Sequence, residues 1–270
     1  AEAARQGVPG FAGLHIEGPH LSLARKGAHN PDYIRPMEED DLELLIAARE
    51  TMPVLLTTLA PESVSPNQIT RLAAGGVVVS LGHTDTSAQS AQTCFEAGAT
   101  MVTHLFNAMS QLGNREPGLV GAALTSGVWA GLIADGLHVD ATGIAIALRA
   151  KSGPGRIFLV TDAMSCAGTN MNAFTLNGRE IQRKDGALRL TDGTLAGADL
   201  TMIEAVRYMH HTIGTDLDDV LKMASLYPAQ AVGLAERLGH LKPGAIASLV
   251  HLSNDLDVQT VWVEGNRVSG

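Results

Sequence analysis

The sequence is poor in the residues that mark several classes of protein. Aromatic residues make up only 4% of the 270 residues, so the core must be mainly aliphatic. The two cysteines, Cys94 and Cys166, are too few for a disulfide framework and have no CxxC spacing, which predicts buried, reduced thiols. No apolar run reaches the roughly 18 residues of a membrane span, and no signal-peptide pattern opens the chain. We therefore expect a cytoplasmic protein with no membrane partner.

Basic residues are also scarce. The 19 Lys and Arg are outnumbered by 28 Asp and Glu, which gives a net charge of -9, and no Lys/Arg run exceeds two residues. This balance argues against nucleic acid as a partner and favours a small-molecule substrate. A hydrophobic content of 45% with 17% charged residues fits a folded chain with a sizeable core.

Short apolar runs alternate with amphipathic stretches, and polar turns separate them, which is typical of βα units. Strands are predicted over residues 13–17, 54–59, 77–81, 100–105, 131–134 and 156–161. Helices are predicted between them over residues 38–50, 66–74, 86–97 and 140–151.

The pattern changes after Asp162. The pairs Asn177-Gly178, Asp185-Gly186 and Asp192-Gly193 are favoured hairpin turns and predict an antiparallel patch. Helices over 200–211 and 217–226 follow, and then further strands from residue 242 onwards. We predict a catalytic βα domain over residues 1–240, with a hairpin insertion at about 172–198, and the strands of a smaller domain over 241–270.

Polar residues close several of these strands, and they help to choose between a doubly wound sheet and a (β/α)8 barrel. Glu17, His83, His104, His138 and Asp162 each follow a different predicted strand. A barrel brings the carboxyl ends of many strands around one point, whereas an open sheet more often has a Gly-rich phosphate loop, which is missing here. The barrel is therefore favoured.

Three of these residues form a candidate metal site. Glu17 shares one strand face with His15, and His83 and His104 close consecutive strands 21 residues apart. Two histidines and a carboxylate can hold a divalent cation and leave a position for water. The alternative is that each is an ordinary hydrogen-bonded core residue.

Asp162 and Arg115 are further candidates. Asp162 ends the most apolar strand, so its carboxylate is desolvated there and is a candidate general base beside a metal; it is alternatively a helix N-cap. Arg115 offers a planar fork suited to phosphate, or else pairs with Glu116 on the surface.

Five segments carry most of these residues. In chain order they read HIEGPHLSLARKGAHNP, SLGHTDTSAQSAQTCFEAGATMVTHLFNAMSQLGNREPGLVGAAL, IADGLHVD, LVTDAM and TLAGADLTMIEAV. Together they resemble the N-acetylglucosamine-6-phosphate deacetylases of the amidohydrolase superfamily. The resemblance runs from about Gly13 to the C-terminus, and five motifs in one order are far more specific than a single HxE pair.

The resemblance implies a TIM-type (β/α)8 metallo-dependent hydrolase barrel with a small β-sandwich domain, to which residues 241–270 would contribute. It implies a homodimer that hydrolyses the acetamide of N-acetylglucosamine 6-phosphate to glucosamine 6-phosphate and acetate. Glu17, His83 and His104 match the metal ligands, and Asp162 matches the catalytic acid/base. The positions that match substrate contacts are Ala28, His29, Asn107, Ala108, Arg115, Asp135, His138, Leu195, Ala196 and Gly197.

The resemblance also sets an expectation for the start of the chain. Since six strands are predicted and the family barrel has eight, we expect the first two barrel strands to be absent and the 270 residues to be poorly active and poorly stable alone. The absent strands decide whether one or two ions bind; zinc is the expected metal, with iron, cobalt or manganese as alternatives. Two other functions stay open, an amidohydrolase acting on a cyclic amide or deaminase substrate and a non-catalytic remnant.

Overall fold

A parallel β-sheet forms the centre of the computed structural model, which describes residues 2–184 and 186–269. Among the described residues, six strands form this sheet in the order β1 to β6, so each pairs with the next along the chain and the predicted number of parallel strands is confirmed. They are β1 (Leu14–Glu17), β2 (Leu55–Leu59), β3 (Val78–Leu81), β4 (Met101–Val102), β5 (Trp129–Ile133) and β6 (Ile157–Val160). Because all are parallel, their carboxyl ends meet at one edge of the sheet.

A short helix precedes these strands, and an α-helix connects each strand to the next. In chain order they are α1 (Glu2–Arg5), α2 (Glu39–Glu50), α3 (Pro66–Ala74), α4 (Ala88–Glu96), α5 (Gly118–Thr125) and α6 (Ala141–Ala150). Side-chain caps start several of them, as where Ser65 and Gln68 form a capping box at α3. Leu42, Ile69, Leu72 and Ile144 are fully buried between the helices and the sheet.

Several predicted boundaries were wrong. Strand β4 is shorter than residues 100–105, because the backbone leaves the extended conformation at His104 (φ 33°). Helix α5 was not predicted, since nearly all its residues are buried and it therefore lacks the polar face that marks an amphipathic helix.

The helices after residue 200 also differ from the prediction. Helix α7 (Met202–Arg207) continues as a π-helical turn over Tyr208–Thr212. Helix α8 (Leu217–Ala224) is separated from α9 (Leu226–Ala231) by the non-helical backbone of Ser225. No helix in the described part of the chain has the length and apolar character needed to cross a membrane.

Two antiparallel sheets complete the fold. The first contains β7 (Ala173–Leu176), β8 (Arg179–Lys184), β9 (Ala187–Leu190) and β10 (Leu195–Ala198), and the second contains β11 (Leu249–Leu252), β12 (Val258–Val263) and β13 (Asn266–Ser269). The predicted turns at Asn177-Gly178 and Asp192-Gly193 join strands of the first sheet. The third predicted turn includes residue 185, which lies outside the described residues.

Candidate active site

Charged and imidazole side chains gather where the parallel strands end. Glu17 is the last residue of β1, and His83, His104 and Asp162 follow β3, β4 and β6 by two residues each. His83, His104 and Asp162 all have left-handed backbones, with φ of 47°, 33° and 50°. Such conformations are strained for residues with a Cβ, and they persist where the orientation of a side chain matters for function.

The carboxylate and two imidazoles of this cluster converge on one point. Oε1 of Glu17 lies 2.9 Å from Nε2 of His104 and 3.1 Å from Nε2 of His83, and the two Nε2 atoms are 3.2 Å apart. Two ligands bonded to one zinc ion at tetrahedral angles are about 3.4 Å apart, which is close to these distances. The donor set of one carboxylate and two neutral imidazoles therefore fits a divalent cation.

The two imidazoles are turned towards this point by their surroundings. Nδ1 of His83 donates to the carbonyl of Arg25 at 2.7 Å, which leaves Nε2 as the nitrogen that faces Glu17. Gly27 lies beside the same ring: its φ is 55°, and a Cβ there would lie 3.1 Å from Cε1 of His83. Nδ1 of His104 is buried without a hydrogen-bond partner among the described residues, so Nε2 carries that ring's polar contacts.

His29 reaches the same cluster from the loop after β1. Its Nδ1 donates to the carbonyl of Lys26 at 3.1 Å, and its ring meets that of His83 edge-on at 4.7 Å between centroids. Donor atoms of Glu17, His29 and His83 all lie within 4.8 Å of one another. His29 therefore borders the position that a metal ion would occupy.

Two carboxyl groups of the cluster have opposite pKa shifts. Burial alone would raise the pKa of Glu17, but hydrogen bonds and charges from His104 and His83 outweigh it and hold that pKa well below its usual range. Burial raises the pKa of Asp162, only partly opposed by His104 and His138. Glu17 is therefore the anionic ligand and Asp162 the group that takes up a proton more readily.

Most of the predicted residues line one pocket of about 490 Å³. Predicted residues that line it are Glu17, Ala28, His29, His83, His104, Asn107, Ala108, His138, Asp162, Leu195, Ala196 and Gly197. Sequence reasoning missed several other lining residues: Ala24, Arg25, Gly27, Met164, Leu176, Asn177 and Thr194. In the sequence, Asn177 carries only the signal of a hairpin turn, whereas Arg25 stands out as a cation close to the GAHNP motif.

Two predicted contacts are not among the residues that line the pocket. Arg115 is exposed in the loop before α5. Asp135 lies behind His138, whose Nδ1 donates to its carboxylate at 2.6 Å. The cation that does line the pocket among the described residues is Arg25, whose guanidinium donates to one oxygen of Asp85.

A parallel sheet with a histidine–carboxylate cluster at the carboxyl ends of its strands defines the class of metal-dependent hydrolases built on βα units. Residues 1–268 match the model of the amidohydrolase family. The chain belongs to this metal-dependent family.

Curated relatives of the chain include two kinds of sugar-phosphate deacetylase. The chain is 42% identical over 266 residues to the N-acetylgalactosamine-6-phosphate deacetylase of Shewanella sp. (strain ANA-3), covering 98% of this chain and 66% of that protein. It is 35% identical to the N-acetylglucosamine-6-phosphate deacetylase of Haemophilus influenzae, covering 94% of this chain and 66% of the relative. The chain therefore spans about two thirds of the length of these curated relatives.

A solved structure confirms the fold. The N-acetylglucosamine-6-phosphate deacetylase of Pasteurella multocida superposes with a TM-score of 0.93 at 35% identity, covering all of this chain and 71% of that one. The predicted metallo-dependent hydrolase fold is thus confirmed for the parallel sheet and its helices.

Proposed function

We propose that the protein hydrolyses the acetamide of N-acetylglucosamine 6-phosphate to glucosamine 6-phosphate and acetate, in the breakdown of amino sugars. The observation that carries this proposal is the convergence of Glu17, His83 and His104 at 2.9–3.2 Å in a pocket that also contains Asp162. Relatives that share up to 42% of its sequence carry deacetylase names, which supports amide hydrolysis over a deaminase reaction or a non-catalytic role.

Glu17, His83 and His104 would hold the metal. A divalent cation bound there lowers the pKa of a water molecule and polarises a nearby carbonyl group. Zinc suits two imidazoles and a carboxylate, and iron, cobalt or manganese would also accept this donor set. His29 borders this point, with a ring nitrogen within 4.8 Å of the donor atoms of Glu17 and His83, and would contact substrate.

Asp162 would be the acid/base. Its carboxylate takes the proton of the water that attacks the acetyl carbon, and then gives that proton to the sugar nitrogen as the C–N bond breaks. This role fits the position of Asp162, which lines the same pocket as the three proposed ligands, and burial raises its pKa and so favours uptake of a proton.

The other walls of the pocket would hold the sugar. His29 and His138 offer imidazole nitrogens to the acetyl oxygen or the sugar hydroxyls. Polar contacts from the segments around Ala28, Asn107–Ala108 and Leu195–Gly197 would fix the ring, and binding energy from these remote contacts would align the amide with Asp162.

The phosphate would be met by an arginine, and two candidates differ in where they lie. Arg25 lines the pocket of its own chain, whereas Arg115 is exposed outside it. We infer that Arg115 reaches a phosphate in the pocket from a second copy of the chain. That arrangement would make the homodimer part of the site.

The epimer at C4 of the sugar is a second candidate substrate. The two N-acetylgalactosamine-6-phosphate deacetylases share 42% and 40% identity with the chain, and the N-acetylglucosamine-6-phosphate deacetylases 34% to 37%. N-acetylgalactosamine 6-phosphate therefore belongs in every assay beside its glucose epimer.

Domain organisation and location complete the proposal. Residues 1–240 would form the catalytic domain with an insertion at about 172–198, and residues 241–270 would be strands of a small β-sandwich. The protein would act in the cytoplasm, where sugar phosphates are found.

The test is acetate release from four sugars, the two N-acetylhexosamines with and without a 6-phosphate, measured beside the metal content. We expect hydrolysis of at least one phosphorylated epimer that stops when a chelator removes the metal and returns when zinc is restored. A metal-loaded protein that releases no acetate from any of the four would refute the proposed function.

A further inference from the structure

Asp135 and His138 form a pair behind the pocket wall. Nδ1 of His138 donates to Oδ2 of Asp135 at 2.6 Å. The other oxygen, Oδ1, accepts the backbone N–H groups of Leu137 and His138, both at 2.8 Å. A single carboxylate thus binds both the imidazole and the loop that carries it.

The burial of Asp135 determines whether its carboxylate can contact a substrate directly. The Asp135 side chain is 9% exposed and the His138 side chain 5%, and His138 lines the pocket while Asp135 does not. Asp135 was predicted to contact substrate from the family resemblance. Its place behind the imidazole means that it would act on the substrate through His138.

The loop that carries Asp135 and His138 also packs closely against Tyr208. Gly136 has a φ of 76°, and a Cβ at this position would lie 2.7 Å from the hydroxyl oxygen of Tyr208. Tyr208 opens the π-helical turn over Tyr208–Thr212, and such turns are often found beside functional sites. The loop is therefore held by the carboxylate of Asp135 and packs closely against the side chain of Tyr208 at Gly136.

The carboxylate of Asp135 also determines which nitrogen of His138 carries the proton. An ionised carboxylate can only accept hydrogen bonds, and the pKa of Asp135 is lowered because the bonds from His138 and Leu137 outweigh its burial. The proton of His138 must then sit on Nδ1, and Nε2 is the atom available to the pocket.

We propose that Asp135 is a positioning residue, which holds the proton of His138 on Nδ1 and directs Nε2 at the acetyl oxygen or a sugar hydroxyl. This inference rests on the proposed function for the identity of the substrate, although the state of the imidazole does not. An asparagine at position 135 keeps an acceptor oxygen, but its amide can also donate to Nδ1 and so permits the wrong tautomer.

The first measurement is the ¹⁵N NMR spectrum of the histidine side chains in the wild-type protein. We expect a protonated Nδ1 for His138, assigned by its loss in His138→Gln, and a change of this signal in Asp135→Asn. An unprotonated Nδ1 in the wild type overturns the proposal, even if the asparagine variant does not fold.

The second measurement is a double-mutant cycle on acetate release. Asp135→Asn should lower kcat/KM on the order of 10- to 100-fold, as loss of a carboxylate behind a functional histidine does, and should add little to the loss in His138→Gln. Asp140→Asn is the matched control, because this nearby aspartate caps α6 through the backbone N–H of Thr142 and does not line the pocket, and it should keep wild-type kinetics.

The two proposals fail in different ways. A wild-type protein without deacetylase activity refutes the proposed function and leaves the tautomer to be decided by NMR. An active wild type refutes the positioning role if Asp135→Asn retains normal kcat/KM or if the losses in the double variant multiply.

Discussion

At the level of single residues, the site combines strained backbones with two carboxyl groups whose surroundings shift their pKa values in opposite directions. His83, His104 and Asp162 lie in the left-handed region, and Glu17 accepts contacts from two imidazoles. A carboxylate beside neutral or cationic imidazoles stays charged, whereas one that is desolvated with little compensation resists charging. These residues are therefore arranged for function at some expense in stability.

Asp162→Asn should stabilise the metal-free protein at neutral pH. The folded-state pKa of Asp162 is raised above the unfolded value of about 3.9, so its contribution to stability is present below that value and is lost as the pH rises through the folded pKa. The neutral amide removes this loss. Denaturant unfolding with a chelator present should show a more stable variant at pH 7 and no difference at pH 3.5; equal stability at both pH values would contradict the raised pKa.

The same variant should behave differently in catalysis. Loss of the acid/base should lower kcat on the order of 10² to 10⁴-fold while substrate binding is largely kept. Steady-state kinetics and a binding titration with metal-loaded protein separate the two effects. Near-normal turnover would remove Asp162 from the mechanism.

Glu17→Gln should lower metal content and activity together. The amide loses the charge that a divalent cation needs and retains a weaker acceptor oxygen, so zinc affinity should fall at least about 10-fold. Elemental analysis after dialysis against buffered zinc is the measurement. Glu39→Gln, which changes an exposed carboxylate paired with Arg71, serves as the control.

At the level of elements, the antiparallel sheet β7–β10 supplies a wall that the parallel sheet cannot. Leu176 and Asn177 lie on its first hairpin, and Thr194 to Gly197 lie on and before its last strand; all line the pocket. The sheet is joined to the opposite wall where Arg179 donates to the carbonyl of Ala28. The shape of the pocket therefore depends on contact between segments about 150 residues apart.

Arg179→Ala should raise KM for the phosphorylated substrate with little change in kcat. The loss of one hydrogen bond between the two walls corresponds to about 1 kcal/mol, or about 3- to 10-fold in KM. Arg189→Ala is the control, because Arg189 lies in the same sheet and donates to Gly193 within it. Equal effects from both variants would indicate that the sheet is merely destabilised.

At the level of the whole molecule, two features of the chain bear on contact with a second copy. Among the described strands, β1 pairs with β2 alone and β6 with β5 alone, so the parallel sheet has two edges. Arg115 is exposed and is not among the residues that line the pocket, which is consistent with a contact to another chain. In the proposed homodimer, that guanidinium would contact the pocket of the partner chain.

Mixing two impaired variants tests this arrangement, if activity is measured at substrate concentrations well below KM. If Arg115 acts on the partner's site, co-expressed Arg115→Ala and Asp162→Asn chains should form mixed dimers with one intact site each, and about a quarter of the wild-type activity should return. If Arg115 acts on the site of its own chain, no site in a mixed dimer contains both the native Arg115 and the native Asp162, and no activity should return. Sedimentation of each variant verifies that dimers are present.

A comparison of Arg25→Ala with Arg115→Ala identifies the phosphate contact. Loss of a charged contact should raise KM on the order of 10-fold or more for the 6-phosphorylated sugar and leave the weak activity on the unphosphorylated sugar unchanged. Equal losses on both sugars would assign the residue to the fold or the dimer instead.

The sequence alone was sufficient for the class of fold, and it indicated which residues would meet in the candidate site. Alternation of apolar runs with amphipathic stretches is a local property, so strands and helices could be predicted from the order of residues. The ends of those strands carried Glu17, His83, His104 and Asp162, and parallel pairing requires such ends to meet. The five motifs added the family, which residues 1–268 confirm.

What the tertiary structure decided depends on contacts between distant segments. Helix α5 escaped prediction because burial on all sides leaves no periodic pattern in the sequence. Arg25 and Asn177 belong to the pocket because the loop after β1 and the hairpin after β7 meet across it. Asp135 does not line the pocket, because His138 lies between its carboxylate and the pocket. No spacing of residues encodes these distances; they follow from how the sheets and loops pack, and packing is a property of the folded chain.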